Sequence, residues 1–230
     1  MEEHKRRRRL LIEGRYRFSV AHLLAAIVLM FVSLPFVSFV SFGGVLEEIL
    51  LSLVLIAGIN AVGAKRRTQV MAMVIAFPTL LCQWLTHFFP ETIPGVLTLV
   101  GSAFFVGFVI GQLFLFVMRT TTVNSEVLYA AICVYLLFGM VFAILYELLV
   151  NVNPAAVVFS PPYPGQMPME GFTSLYFSLQ MLTTFDFGDI MPASNIARMM
   201  AIVESTVGTF YLAILVARLV GLYSAENPRR

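Results

Sequence analysis

The sequence predicts an all-α membrane protein with six membrane-spanning helices and a further segment that enters the membrane without crossing it. Of the 230 residues, 59% are hydrophobic and only 12% are charged, and the mean hydropathy is +0.88. A soluble domain of this size has too small a core to bury so much apolar surface, whereas lipid accepts it. The charged residues also cluster between long apolar stretches.

A helix needs about 20 predominantly apolar residues to cross the hydrocarbon layer. Six stretches meet this requirement, at residues 18–41, 45–63, 69–89, 95–118, 127–150 and 197–222. The three histidines, His4, His22 and His87, lack any recognisable metal-ligand spacing, so we expect no cofactor.

The basic residues predict the orientation of these spans. If the amino terminus is cytoplasmic, every lysine and arginine except Arg198 lies on the cytoplasmic side. This is the positive-inside pattern, and it places both termini in the cytoplasm of a multi-pass protein of the cell membrane, the inner or plasma membrane. A basic segment at residues 1–17 precedes the first span, where we expect it to contact anionic lipid rather than nucleic acid.

The pattern of spans and charges divides the chain into four parts. The basic segment 1–17 is followed by a four-helix membrane domain, 18–118, then by residues 124–223 and a short cytoplasmic tail, 224–230, too short for a ligand-binding domain. A voltage sensor needs a ladder of arginines at three-residue spacing, because each charge must couple to the membrane field. The fourth span has only Arg119, at its end, so we expect no voltage sensor.

A segment between the fifth and sixth spans is too short to cross the membrane. Residues 151–169 contain five prolines, which rule out a regular helix, and residues 171–184 are apolar but end in a run of small and acidic residues. Irregular backbone at membrane depth is tolerated only where it is buried in protein or lines a water-filled cavity. A short helix that enters, followed by a strand that returns through water, is the architecture of a selectivity filter.

The residues from Leu175 to Ser178 and from Thr183 to Pro192 resemble the pore loop of potassium channels, whose filter reads T-T-V-G-Y-G-D-x-x-P, and residues 197–223 resemble their inner helix. The resemblance covers residues 124–223 and implies an outer helix, a pore loop and an inner helix. It also implies a homotetramer, because one pore hairpin cannot enclose a path. The implied function is passive conduction of potassium, sodium or divalent cations through a filter made of Thr184, Phe185, Asp186, Phe187 and Gly188.

The filter departs from the family at two positions, since Asp186 replaces a glycine and Phe187 replaces a tyrosine. A non-glycine residue in the left-handed geometry of a filter glycine costs about 1–2 kcal/mol. The Asp186 side chain either points back toward the pore helix or turns inward, where four subunits would form a carboxylate ring that binds a divalent metal ion. We therefore expect non-selective conduction or divalent binding rather than potassium selectivity. The alternative is a non-conducting or regulatory membrane protein that retains the fold.

Two polar residues near the filter have two interpretations each. Thr184 either lines the inner end of the filter with its hydroxyl or caps the pore helix. Gln180 lies one turn earlier and either hydrogen-bonds Asp189 or Asp186 behind the filter or packs as an ordinary pore-helix residue. We assign Gln180 and Asp189 to filter support.

Three residues of the flanking spans complete the candidate site. Glu147 and Glu204 are ionisable residues inside spans, which generally have a functional or paired role, and we assign both to filter support. Gly208 lies at the family's hinge position and permits either a bend or close helix packing.

No catalytic residue is expected. Asp186-Phe187-Gly188 spells a kinase motif, but no glycine-rich loop or H-R-D segment accompanies it. Asp186 and Asp189 are the only aspartates and lie on one loop, whereas an intramembrane aspartyl protease needs two on facing helices. The sequence thus favours a channel over an enzyme.

Overall fold

The computed structural model describes residues 2–37, 39–40, 42–62, 66–89, 95–121, 124–160 and 168–226, with side chains described from Val20 to Leu222 within these ranges. Some of the residues discussed above lie outside the described part. They are the basic side chains of residues 1–17, Lys65, Glu91 and the end of the predicted tail, residues 227–230. The helices in the described part are α1 Glu2–Val37, α2 Gly43–Ala61, α3 Arg66–Phe88, α4 Gly95–Arg119, α5 Ser125–Val152, α6 Phe172–Thr183 and α7 Asn195–Glu226.

Six of these helices are long and apolar enough to span a membrane. They are Val20–Val37 within α1, then α2, α3, α4, α5 and Asn195–Leu222 within α7. A helix satisfies its own backbone polar groups, which is why an apolar run of this length in lipid adopts no other single-segment structure. The predicted all-α class with six spans is confirmed, although the first helix ends at Val37 rather than at residue 41.

The helix α5 occupies the centre of the fold. It packs against α1 and α4 on one side and against α6 and α7 on the other, while α2 packs on α1 and α3 packs on α4. Fully buried side chains at these contacts include Leu23 and Ile27 of α1, Phe105 of α4 and Leu137 of α5. The first four helices thus reach the pore loop mainly through α5.

A second, smaller apolar core lies behind the pore loop. It joins Tyr146 of α5, Phe177 and Met181 of α6, Ile190 after the loop and Ala197 of α7. The ring of Tyr146 meets that of Phe177 edge to face, with centroids 4.7 Å apart. This core fixes α6 between the two long helices that flank it.

A two-stranded antiparallel sheet joins the two ends of the pore loop, and the sequence did not predict it. Strand β1, Val157–Phe159, follows a short 3₁₀ turn at Pro154–Ala156 and pairs with β2, Ile190–Pro192. The Ser160 amide also donates to the Asp189 carbonyl over 2.8 Å. The predicted lack of regular helix in residues 151–169 holds from Asn153 onward, apart from the 3₁₀ turn, while residues 161–167 lie outside the described residues.

Candidate pore loop and its supports

The amino terminus of α6 is capped by a side chain from another helix. Gly171 is the N-cap residue with φ +51 and has no side chain to satisfy the first amides. Instead, Oε1 of Glu147 on α5 accepts from the Gly171 amide over 2.9 Å and from the Ser174 hydroxyl. The φ of +51 favours glycine here, since other residues rarely adopt this conformation, and a Cβ would also lie 2.8 Å from Oε1 of Glu47. Glu147 therefore anchors the start of the short helix.

The carboxyl terminus of α6 ends in a left-handed residue. Thr184 is the C-cap with φ 58, and the Phe185 amide donates back to the Gln180 carbonyl over 2.9 Å. The Thr184 hydroxyl donates to the Thr183 carbonyl over 2.6 Å. Of the two interpretations of Thr184, this geometry is that of the helix cap, because a left-handed residue closes the last turn of a helix.

The prediction that Asp186 adopts a strained, left-handed conformation is wrong. Among the described non-glycine residues, positive φ occurs at Thr184, and within the loop only Gly188, with φ +72, joins it. The left-handed residue of this turn is Thr184, at the end of the helix, and Asp186 has a negative φ. The aspartate replaces a glycine without adopting the geometry that favours glycine.

The side chain of Asp186 lies at the exposed surface of the loop, and its Oδ1 accepts from the Gly188 amide over 2.8 Å. It is therefore not buried against the pore helix. Among the described residues of one chain, no group of three or more histidine, cysteine, aspartate or glutamate side chains is placed to hold a metal ion. A carboxylate ring at this position requires further subunits.

The two phenylalanine rings of the loop meet edge to face. The ring centroids of Phe185 and Phe187 are 4.6 Å apart at 79°, and Phe187 lies parallel to Tyr176 of α6 with centroids 6.3 Å apart. The loop residues 183–188 are all exposed in the single chain, with Phe185 58% and Phe187 63% accessible. The loop thus presents an open face, and the Phe187 ring lies against α6.

Asp189 receives three hydrogen bonds behind the loop. Its Oδ2 accepts from the Tyr176 hydroxyl over 2.8 Å, and its Oδ1 accepts from Gln180 Nε2 over 3.3 Å and from the Ile190 amide over 3.0 Å. Gln180 thus pairs with Asp189 and not with Asp186, while its buried Oε1 has no partner in the described part of the chain. The sequence-based assignment missed Tyr176, although its i, i+4 spacing from Gln180 puts both on one helix face.

Glu204 lies at the junction of α5, α6 and α7 and is fully buried. Its Oε2 accepts from the Tyr146 hydroxyl over 2.9 Å, and its Oε1 lies 2.5 Å from the Ser178 hydroxyl oxygen. The sequence pattern identified the glutamate but neither of its partners. A hydroxyl on an apolar membrane helix generally needs a polar partner, which is the signal that Ser178 offered.

Gly208 allows α7 to pass close to the end of the pore helix. A Cβ at this residue would lie 2.5 Å from the Leu182 carbonyl oxygen. One turn earlier, the Ser205 hydroxyl donates to the Met181 carbonyl over 2.7 Å. The geometry is that of close helix packing, and a hinge role stays a prediction.

These features define a pore-loop membrane protein: two long spans, a short helix between them and an exposed loop braced from behind. Residues 130–225 match the family model Ion_trans_2, described as "Ion channel". The chain therefore carries an ion channel domain, and the predicted resemblance is confirmed. The match indicates transport rather than catalysis in a membrane-embedded protein. The match leaves out the first four helices. No curated protein and no solved structure matches the chain significantly.

Proposed function

We propose that four copies of this chain assemble about a fourfold axis in the cell membrane and that cations pass along this axis between their pore loops. The observation that carries the proposal is the exposed loop 183–188, which is braced from behind by Asp189 and lies within the matched ion channel segment. One such loop cannot enclose a path, and closed rotational symmetry supplies the missing walls.

The direction of Asp186 supports a carboxylate ring on this path. Successive side chains of an extended segment point to opposite sides. The Phe185 ring meets the Phe187 ring edge to face, and Phe187 stacks on Tyr176 of α6. Asp186 lies between the two phenylalanines in the sequence, and we propose that its side chain points away from the pore helix. In the proposed tetramer, this side would face the axis.

A ring of four carboxylates attracts a divalent cation about twice as strongly as a monovalent one, because the Coulomb energy scales with the ion's charge. We therefore propose a cation channel that binds divalent ions in its filter and conducts more than one monovalent cation. Strict potassium selectivity is not expected, since the family glycine at this position is absent.

The orientation and lipid partners belong to the same proposal. With both termini cytoplasmic, Arg66 and Arg67 at the start of α3 and Arg119 at the end of α4 share the cytoplasmic side. Basic residues beside a span are attracted to anionic headgroups. Anionic lipid at the cytoplasmic face is the expected partner, with no role for nucleic acid.

Reconstitution of the purified protein tests the function. Its mass in detergent should be that of a tetramer, and single-channel recording under potassium, sodium and calcium gradients should show cation current with divalent block. A stable monomer or dimer contradicts the assembly. A tetramer without current under all three gradients contradicts conduction and favours a non-conducting protein that retains the fold.

A further inference from the structure

The buried carboxyl group of Glu204 joins three helices through hydroxyl groups. The Tyr146 hydroxyl of α5 lies 2.9 Å from Oε2, and the Ser178 hydroxyl of α6 lies 2.5 Å from Oε1. Ser178 Oγ also lies 2.6 Å from the carbonyl oxygen of Gly139 on α5. Four oxygen groups therefore form a continuous row from Tyr146 to Gly139.

The protons available to this row decide its chemistry. A hydroxyl has one proton to donate, and the Gly139 carbonyl only accepts. If Glu204 is ionised, Ser178 must donate either to Glu204 or to Gly139. In either case two oxygens face each other at about hydrogen-bond distance with no proton between them. A protonated Glu204 supplies the missing donor.

We propose that Glu204 is a neutral carboxylic acid that donates its proton to Ser178, so that the hydrogen bonds run in one direction from Tyr146 through Glu204 and Ser178 to Gly139. Each proton is then used once, and the carbonyl and both carboxyl oxygens are satisfied. A buried carboxylate whose described partners are hydroxyls alone lacks the opposite charge that such a group needs.

The surroundings of Glu204 fit a neutral group. The titratable residues that face it from α5 are Tyr146, which is in direct contact, and Tyr135. The residue that faces it from α6 is Ser178. None of these side chains supplies a positive charge to a carboxylate.

The proposal makes Glu204 a positioning residue for the pore helix. Ser178 lies in α6 two residues before Gln180, which holds Asp189 behind the loop. The same face of α7 continues with Ser205 and Gly208, which contact Met181 and Leu182. A directed row of hydrogen bonds thus fixes the rotation of α6 where it leads into the loop. Its importance for conduction rests on the proposed function, whereas the protonation of Glu204 does not.

Infrared difference spectra of the full-length protein in lipid vesicles at neutral pH test the proton directly. Subtracting the spectrum of Glu204→Gln from that of the wild type should reveal a carbonyl band of a protonated carboxylic acid. Glutamine keeps the pattern, since its amide donates to Ser178 and its oxygen accepts from Tyr146. Glu170→Gln, at an exposed glutamate outside the row, is the matched control for the substitution itself.

A second variant removes the acceptor. Ser178→Ala should move the acid band of Glu204 to higher frequency, because the acid proton loses its hydrogen bond, and this measurement decides the question if Glu204→Gln cannot be purified. Loss of a carboxylate band instead of an acid band in Glu204→Gln overturns the proposal. An acid region that is unchanged in Ser178→Ala also overturns it. Neither result bears on ion conduction, so the two proposals fail separately.

Discussion

The Tyr176 hydroxyl donates a 2.8 Å hydrogen bond to Oδ2 of Asp189 and so ties the middle of the pore helix to the residue that follows the loop. The ring of the same tyrosine lies parallel to Phe187, with an interplanar angle of 9°. One side chain thus braces the loop at two points, with its hydroxyl on one residue and its aromatic face on another.

Replacing Tyr176 by phenylalanine separates these two contacts. We expect the variant to lose about 1 kcal/mol of unfolding free energy, the typical net value of one hydrogen bond, while the ring stack remains. Thermal unfolding of the assembled protein measures the loss. Tyr129→Phe, at an exposed tyrosine of α5, is the matched control. Equal stability of the two variants would show that the Tyr176 hydroxyl does not brace the loop.

Removing the Glu147 side chain should destabilise the start of α6. Glu147→Ala leaves the Gly171 amide without its acceptor and leaves the Ser174 hydroxyl only the Gly171 carbonyl, 3.0 Å away. Loss of a helix cap costs about 0.5–2 kcal/mol. A double-mutant cycle with Ser174→Ala, read by thermal unfolding, should show less than additive losses, because both substitutions break one contact. Additive losses would refute the contact between Glu147 and Ser174. A loss in Glu147→Ala no larger than that in the control Glu170→Ala, at the exposed residue before Gly171, would refute the cap.

Gly208→Ala should push α7 away from the end of α6. The new methyl group would lie 2.5 Å from the Leu182 carbonyl oxygen, and such overpacking costs about 1–3 kcal/mol. Gly221→Ala lies in the same helix with nothing within 4 Å, so its stability should be unchanged or slightly raised. If Gly208→Ala keeps wild-type stability but changes the open probability, the glycine acts as a hinge instead.

Current through the proposed channel should depend little on voltage. The helix α4 carries one basic residue, Arg119, at its last position, and gating by the membrane field requires several charges that each contribute about 2.3 kcal/mol per 100 mV. Open probability in bilayer recordings should stay nearly constant over about ±100 mV. Steep activation that corresponds to several gating charges would show that another part of the chain senses voltage.

The selectivity of the proposed channel should respond to Asp186. Asp186→Gly removes the carboxylate ring, so divalent block should weaken at least about tenfold, or about 1.4 kcal/mol, and selectivity should shift toward potassium. Asp186→Asn should lose the block without this shift, since its side-chain oxygen still accepts from the Gly188 amide and preserves the turn. Reversal potentials and calcium block in single-channel recordings measure both effects. Strong potassium selectivity of the wild type, with no change in divalent sensitivity in either variant, would mean that Asp186 faces away from the path.

Some residues of the candidate site could be identified from the sequence pattern and the family resemblance, whereas others could be identified only from tertiary contacts. The resemblance located the segment 124–223 and its filter residues, and the positions of Gln180, Glu147 and Glu204 marked them as polar groups in apolar helices. The sequence did not identify the hydrogen-bond partners of Glu147 and Glu204. Glu147, for example, contacts Gly171 and Ser174, which lie more than 20 positions away. Tyr176, Tyr146 and Ser178 were missed because their partners Asp189 and Glu204 lie 13 or more positions away in the sequence.

The sequence by itself determined the class of protein, the six spans and the short helix between the last two, because lipid imposes a length and an apolar composition that are local properties of the chain. Only the tertiary structure decided that β1 pairs with β2, that Thr184 rather than Asp186 is left-handed, and that Gly208 packs against Leu182. These features depend on where distant segments meet, and a periodic pattern of apolar residues does not encode those distances.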